Sequence, residues 1–216
     1  MMTRRRWIAF ACGVIAGTWL LTVGAARLGA ADPLRVVLLV DSSTNMSTML
    51  TEFRAGLHTF IDAVPEDVEI TIISTGGQLR IRVPPTLDRR KLHDAAGRFA
   101  SDGGANSFLD TMLESDQRFL RSAPDRRGVF VIVTTDPPSI GDPPLYRYNQ
   151  FVNDFLRRRG RAHAIVIRTG AQLSGFASAV LENLTSNTDG LFTVMAVSNS
   201  LSTRMKELAE QVAAQD

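Results

Sequence analysis

The stretch Leu34-Arg35-Val36-Val37-Leu38-Leu39-Val40, followed at once by Asp41-Ser42-Ser43-Thr44-Asn45, decides the fold of this chain. Six of its first seven residues are apolar and do not alternate with polar ones, which is typical of a strand buried on both faces of a parallel sheet. Apolar residues at helical spacing then run from Met49 to Val64, and Pro65 ends the pattern. A buried strand followed by an amphipathic helix predicts an α/β domain.

Two further strands are predicted over residues 68–73 and 79–83, joined by Thr75-Gly76-Gly77-Gln78. Because this connection is too short for a crossover helix, the two strands are predicted to form an antiparallel hairpin. The second strand carries two arginines and is expected to end at Pro84-Pro85, which suits the edge of a sheet.

The rest of the chain alternates helices and strands. Helices are predicted over residues 88–99, 108–120, 145–159, 176–184 and 200–214, and strands over residues 129–133, 162–167 and 191–197. The series predicts a doubly wound, mostly parallel six-stranded sheet with one antiparallel edge strand and helices on both faces.

The first 31 residues are predicted to be an export signal, and the α/β domain is predicted to cover residues 32–216. Arg4, Arg5 and Arg6 precede an apolar run over residues 7–26, and the small residues 29–31 favour cleavage after Ala31. The apolar run is also long enough to span a bilayer, so an uncleaved membrane anchor is the alternative. In either case the domain is expected to be exported, to the periplasm or out of the cell.

The leader also carries the positive charge of the chain. The whole sequence has 24 Lys and Arg against 22 Asp and Glu, but four arginines lie in residues 1–31, so the rest has 20 positive and 22 negative side chains. Residues 32–216 therefore have no excess of positive charge that would indicate nucleic-acid binding, and membrane contact is expected only through the leader. The single cysteine, Cys12, lies there too, which excludes disulfides, thiolate metal sites and cysteine nucleophiles from the domain.

Acidic and hydroxyl side chains follow two of the buried strands. Asp41 comes directly after the first strand, and Thr134-Thr135-Asp136 follows the strand over residues 129–133. In doubly wound sheets, ligands bind outside the carboxyl ends of the strands, where the strand order reverses. If these strands are neighbours, the two carboxylates and the hydroxyl of Ser43 converge into a site that suits a hard cation such as Mg²⁺. The loop over residues 103–107 is a third candidate contribution.

On these residues the chain resembles a von Willebrand factor type A (VWFA) domain, a Rossmann-like fold with a metal-ion-dependent adhesion site. The family pattern Asp-x-Ser-x-Ser is matched by Asp41, Ser43 and, with a substitution, Asn45. The later family aspartate is matched by Asp136, although Pro137 stands where the family usually has glycine.

The family also has a threonine after a glycine pair. Counting back from Asp110 places Asn106 in that position, whereas counting forward from Gly104 places Ala105 there. Asn106 is the favoured assignment, because an amide oxygen can bind a hard cation and an alanine side chain cannot.

The resemblance implies a non-catalytic binding module. It implies that Mg²⁺, or alternatively Mn²⁺ or Ca²⁺, binds at the strand ends and takes a carboxylate of a partner protein at an open position. The alternative is a VWFA fold with a degraded site that binds partners without metal. The residues implied as metal ligands are Asp41, Ser43, Asn45, Asn106 and Asp136.

Two tyrosines, Tyr146 and Tyr148 in the Pro-rich segment after Asp136, are predicted to lie near the rim of this site. Tyrosine is favoured at interfaces, so both are candidates for partner contact, with packing of the loop as the alternative.

Catalysis is the less favoured function. A phosphatase of a doubly wound class would have a second carboxylate two residues after Asp41, where this chain has Ser43, and no nucleophile elbow Gly-x-Ser-x-Gly occurs. A simpler interpretation of Ser42, Ser43 and Thr44 is that they cap the following helix.

Two other features are predicted to be structural. The three histidines, His58, His93 and His163, are far apart in sequence and lack the spacing of metal ligands. The run Arg157-Arg158-Arg159-Gly160-Arg161 is predicted to be a solvated helix end that complements the helix dipole, with an anion or partner patch as the alternative.

Overall fold

The computed structural model describes residues 32–136, 145–169 and 176–214. These residues contain six strands: β1 (Leu34–Val40), β2 (Glu69–Ser74), β3 (Arg80–Thr86), β4 (Arg127–Thr135), β5 (Arg161–Ile167) and β6 (Phe192–Met195). Six helices accompany them: α1 (Leu50–Ala63), α2 (Arg89–Gly97), α3 (Phe108–Ser115), α4 (Leu145–Arg157), α5 (Phe176–Asn187) and α6 (Leu201–Ala213). The leader and the segment from Pro137 to Pro144 lie outside the described residues, as do residues 170–175 and 215–216.

The strands form one sheet in the order β3-β2-β1-β4-β5-β6. All neighbouring pairs are parallel except β2 and β3, which are antiparallel. The strand order reverses between β1 and β4, because β1 pairs with β2 on one side and with β4 on the other. The predicted doubly wound fold with an antiparallel edge strand is therefore confirmed.

Strand β3 is longer than predicted, because it continues through Pro84 and Pro85 to Thr86. Its pairing with β2 shifts register between Ile70 and Ile72, and the two prolines fall between the paired residues Val83 and Thr86. A proline has no N–H to donate, so an irregular stretch of an edge strand is where it is tolerated. The expectation that the prolines end the strand was wrong for this reason.

Two apolar cores cover the two faces of the sheet. Helices α1, α2 and α6 pack on one face, and α3, α4 and α5 pack on the other. The side chains of β1 divide between them, with Leu38 in the first core and Val37 and Leu39 in the second. This explains the continuous apolar run at residues 34–40. All six described strands and both cores lie within residues 34–212.

The helices match the predicted ones apart from their ends. A 3₁₀ turn, Thr44–Met49, precedes α1, and a π-helical turn, Asp116–Leu120, extends α3. Asp88 caps α2 as predicted, because its side chain accepts hydrogen bonds from the backbone N–H groups of Arg90 and Lys91. In the described part of the chain, no helix is both long and apolar enough to cross a bilayer.

Candidate metal centre

Asp41 and Asp136 follow neighbouring strands at the point where the strand order reverses. The backbone N–H of Asp41 donates to the carbonyl of Val133 at 2.8 Å, and that of Asp136 donates to the carbonyl of Ile167 at 3.0 Å. Both carboxylates are buried, with 0% and 5% of the residue exposed. The structure therefore places the two acids at the same edge of the sheet, as the strand pattern predicts.

The carboxylate of Asp41 is held by three hydrogen bonds. Its Oδ1 accepts from the backbone N–H of Ser43 at 2.7 Å, and its Oδ2 accepts from the backbone N–H of Thr135 at 2.9 Å and from the Thr135 hydroxyl. An ionised carboxylate has about four acceptor positions, so these bonds fix its orientation and leave about one position open. Asp41 therefore ties the end of β1 to the end of β4.

Ser43 is buried, and its hydroxyl has no hydrogen-bond partner among the described residues. It is the residue before the 3₁₀ turn, but its side chain makes no capping hydrogen bond there, so the simpler interpretation as a helix cap is wrong for Ser43. A buried hydroxyl without a partner costs about 1–3 kcal/mol. Together with the oxygens of Asp41 and Asp136, this unpaired oxygen fits the all-oxygen coordination that Mg²⁺ prefers.

The structure places the two asparagines differently. Asn45 lies exposed on the 3₁₀ turn. The side-chain amide of Asn106 lies between two threonines: its Oδ1 accepts from the Thr75 hydroxyl at 2.7 Å, and its Nδ2 donates to the Thr134 hydroxyl at 2.6 Å. Ala105 is exposed, and its carbonyl accepts from Gly77 N–H at 2.7 Å. Asn106 is thus at the end of β4 but already bonded, and the assignment of both asparagines as ligands stays a prediction.

An ionic cluster beside the centre, around Asp102, was missed by the sequence analysis. The carboxylate of Asp102 accepts hydrogen bonds from the hydroxyls of Ser42 and Ser74, both at 2.8 Å. It also pairs with Arg82 at 2.5 Å and with Arg80 at 2.8 Å. Burial raises the pKa of Asp102, but the serine hydrogen bonds and the two arginines outweigh it and hold the pKa below its ordinary value. Asp102 therefore joins the segment before α3 to β3 through the two arginines, and to the ends of β1 and β2 through the two serines.

Three glycines allow these loops to approach closely. A Cβ added to Gly76 would lie 2.6 Å from the backbone oxygen of Ser42, so a larger residue does not fit there. Gly103 and Gly104 have φ values of 75° and 71°, a left-handed conformation that glycine adopts without strain. The carbonyl of Gly104 accepts from the backbone N–H of Thr44 at 3.1 Å. This hydrogen bond joins the loop before α3 to the start of the 3₁₀ turn.

The two tyrosines lie on the first turns of α4. Tyr148 is 5% exposed, and its hydroxyl donates to the carbonyl of Val180 at 3.0 Å, while burial raises its pKa to about 12. The prediction that Tyr148 contacts a partner is wrong because its side chain packs against α5, which agrees with the alternative of internal packing. Tyr146 is 63% exposed, and its role in partner contact stays a prediction.

Two of the histidines meet in the structure. The Nδ1 atoms of His58 and His93 lie 2.7 Å apart, and His93 Nε2 lies 3.0 Å from Asp62. His163 is buried in β5, accepts a hydrogen bond from Leu191 N–H, and has a pKa lowered to about 4 by burial. Within the described residues, no three His, Cys, Asp or Glu side chains are arranged to bind a metal. The candidate centre instead combines two carboxylates with neutral oxygens.

Comparison with known proteins agrees with this fold. The sequence pattern of the von Willebrand factor type A domain matches residues 36–138. No curated protein is similar to the chain in sequence. A von Willebrand factor type A structure from Catenulispora acidiphila superposes with a TM-score of 0.64 at 16% identity, covering 83% of this chain and 42% of that one.

Two other solved structures have the same fold. Proximal thread matrix protein 1 of the mussel byssus superposes with a TM-score of 0.65 at 15% identity, covering 83% of this chain and 47% of that one. An aerotolerance-related membrane protein from Bacteroides fragilis gives 0.60 at 11% identity, covering 82% and 99%. This chain thus matches less than half of the first structure and of the mussel protein. The matched pattern over residues 36–138 and these solved structures together show that this chain has a von Willebrand factor type A fold.

Proposed function

We propose that this protein is an exported, non-catalytic protein-binding module that uses a divalent cation at the Asp41–Asp136 edge to engage a carboxylate of a partner. The VWFA fold supports a role in protein interaction. The observation that carries the proposal is the buried hydroxyl of Ser43, which has no hydrogen-bond partner among the described residues although it lies beside Asp41. A bound cation supplies the partner that this oxygen lacks.

The candidate ligands of the ion fall into two groups. Asp41, Ser43 and Asp136 would hold the ion, Mg²⁺ or alternatively Mn²⁺ or Ca²⁺, while Asn45 and Asn106 are the further candidates. With only two carboxylates, the ion would keep an affinity for one more anionic oxygen. An aspartate or glutamate of a partner protein supplies such an oxygen, so binding to the partner would depend on metal.

One observation favours the alternative of a metal-independent interaction domain. The Asn106 amide already bonds to Thr75 and Thr134, so a hydrogen bond competes with its use as a ligand. In that case the partner would bind elsewhere on the surface, for instance at the exposed Tyr146.

Thermal unfolding of a protein comprising residues 32–216 tests the proposal, first in EDTA and then with millimolar Mg²⁺, Mn²⁺ or Ca²⁺. An ion that binds only the folded state stabilises it by about 2.7 kcal/mol at a hundred times its Kd. For a domain of this size, that corresponds to a rise in Tm of about 5–10 °C.

The decisive variant is Ser43→Ala, because it removes a candidate ligand without breaking a hydrogen bond in the described structure. Its Tm in EDTA should stay within a few degrees of the wild type, whereas the shift with metal should shrink. Ser115→Ala is the matched control, since Ser115 is another buried hydroxyl without a partner but lies on α3 away from the centre. A full metal shift in Ser43→Ala would contradict the ligand set, and no shift with any ion in the wild type would leave the metal-independent alternative.

Partner class and export need separate measurements. Binding of aspartate-containing peptides, compared with asparagine versions in Mg²⁺ and in EDTA, tests whether the partner offers a carboxylate. Fusing residues 1–31 to a reporter enzyme that is active only outside the cytoplasm tests export.

A further inference from the structure

Two histidines join helices α1 and α2. The Nδ1 atoms of His58, on α1, and His93, on α2, lie 2.7 Å apart, while the ring centroids are 5.1 Å apart and the ring planes differ by 12°. Because the two nitrogens are so much closer together than the centroids, the rings meet edge to edge with these nitrogens facing each other. The distance is that of a hydrogen bond, so one proton lies between the two Nδ1 atoms.

The carboxylate of Asp62 fixes which nitrogen carries that proton. His93 Nε2 lies 3.0 Å from an oxygen of Asp62, and only a protonated Nε2 can donate to it. A neutral His93 therefore has its lone pair on Nδ1, and His58 donates its own Nδ1–H to this lone pair. The remaining nitrogen, His58 Nε2, makes no hydrogen bond within the described part of the chain and lies beside Gly97, where an added Cβ would be 3.8 Å away.

This arrangement can take up one proton without losing a hydrogen bond, but not two. The first proton can go to His58 Nε2, which leaves both bonds in place, and the charged ring then donates more strongly to His93. The second can go only to His93 Nδ1, which is the acceptor, so two N–H groups and two positive charges would face each other. Groups that interact in this way take up their protons in two separate steps. The bond between α1 and α2 is therefore kept after the first step and lost after the second.

The charges on the two helices do not remove this conflict. The side chain of Asp62 is 69% exposed, so water weakens its attraction for a second charged ring. The cations one turn before each histidine, Arg54 on α1 and Arg89 on α2, donate to backbone carbonyls. The other charged residues of α2 are Arg90, Lys91 and Asp94, all of them exposed. The positive charges on α2 thus outnumber the negative ones.

The neighbouring elements bring no further carboxylate of the described residues into an ion pair with either histidine. Helix α6 packs against Gly56 of α1, which lies nearly on the opposite side of that helix from His58. Strands β2 and β3 pack against α2. The charged side chains of these elements and of the turn before β2 act on other groups. They are Arg204 with Glu207, Lys206 with Glu210, Arg80 and Arg82 with Asp102, Glu69 with Arg35, and Glu66 and Asp67 near Arg89.

We propose that His58 and His93 form a pH-sensitive latch that holds α2 on α1 and opens when both rings are protonated. The side chain of His93 is 33% exposed, so protons reach the latch from solvent. Helix α2 ends shortly before Ser101, whose hydroxyl donates to the carbonyls of Ser42 and Ser43 at 3.0 and 3.1 Å. An open latch therefore weakens the support of the loop after β1. The proposal rests on the contacts between α1 and α2 alone and holds whether or not the candidate centre binds metal.

An NMR titration of residues 32–216, which contain both apolar cores, tests the latch between pH 8 and pH 4.5. Nitrogen shifts of the rings report which atom of each histidine carries a proton, and hydrogen exchange reports the protection of the α2 amides. We expect proton uptake in two steps, with His93 Nδ1 unprotonated after the first. In the second step the protection factors of the α2 amides should fall about tenfold, which is the loss expected for one hydrogen bond to a charged group.

Three variants separate the latch from other effects of acid. In His58→Asn, the amide can either donate to His93 Nδ1 or accept from it, so the protection of α2 should not change with pH. Asp62→Asn keeps an oxygen acceptor for His93 Nε2 but removes the negative charge, so the second step should move to a higher pH. His163→Asn is the control, because it removes a buried titrating histidine of β5 and leaves both helices intact.

Several results would overturn the proposal. The first is an equal loss of α2 protection in His58→Asn, and the second is unchanged protection in the wild type after both rings are protonated. Independent titration of the two rings would show that they share no proton. A loss of protection that disappears in His163→Asn would assign the opening of α2 to global unfolding and not to the latch.

Discussion

Protonation of His163 should make this domain less stable in mild acid. The residue is 1% exposed in β5, and burial lowers its pKa to about 4 from 6.5. Between these two pH values the unfolded chain binds a proton that the folded chain does not, so the free energy of unfolding falls as the pH falls. The contribution is fully present above pH 6.5, and the loss amounts to about 2 kcal/mol between pH 7 and pH 5 and about 3 kcal/mol by pH 4.

Urea unfolding of residues 32–216 at pH 7, 6 and 5 measures this loss directly. In His163→Asn, the amide oxygen can still accept from Leu191 N–H, but no group titrates there. Its free energy of unfolding should be lower at pH 7 because of the smaller side chain, and should fall by about 2 kcal/mol less than that of the wild type on going to pH 5. Val166→Ala is the control, since it also truncates a fully buried residue of β5 without removing a titrating group. Equal losses between pH 7 and pH 5 in His163→Asn and the wild type would refute the argument.

Three further changes test the contacts around the two edges of the sheet by urea unfolding at pH 7. Gly76→Ala should destabilise the domain by about 1–3 kcal/mol, since the added Cβ lies 2.6 Å from the Ser42 oxygen, and an unchanged midpoint would contradict that crowding. Arg159→Gly should stabilise it by about 1 kcal/mol, because it relieves the left-handed backbone while the exposed pair with Asp32 contributes little, and a lower midpoint would contradict this. Asp102→Asn should cost about 2–3 kcal/mol because two arginines lose their charged partner, and a cost near zero would show that these ion pairs are incidental.

Much of the fold follows from local patterns in the sequence. The apolar run of β1 predicts burial on both faces, and the side chains of Leu38 and Leu39 indeed enter opposite cores. The short connection between β2 and β3 predicts their antiparallel pairing for a geometric reason that no tertiary contact can override. The reversal of strand order between β1 and β4 then brings Asp41 and Asp136 to one edge.

What the sequence could not provide are pairings between distant residues. Asp102 precedes a glycine pair, and Arg80 and Arg82 alternate along an edge strand, but nothing local indicates that they meet. The contact between His58 and His93 depends on how α2 packs against α1. The continuation of β3 through its prolines depends on a register shift in the partner strand, which is a property of the pair and not of either segment.

The positions of the charged side chains also depend on contacts between distant residues. With 20 positive and 22 negative side chains after residue 31, its composition predicts no affinity for anions. The structure distributes these charges unevenly: five arginines, each paired with a carboxylate, line a cavity where the strands begin, while two buried carboxylates lie where β1 and β4 end. Because electrostatic attraction falls off within about 10 Å at ordinary ionic strength, each site responds to its own neighbours and not to the net charge. The net charge of a nearly neutral domain therefore does not show how its charged side chains are distributed.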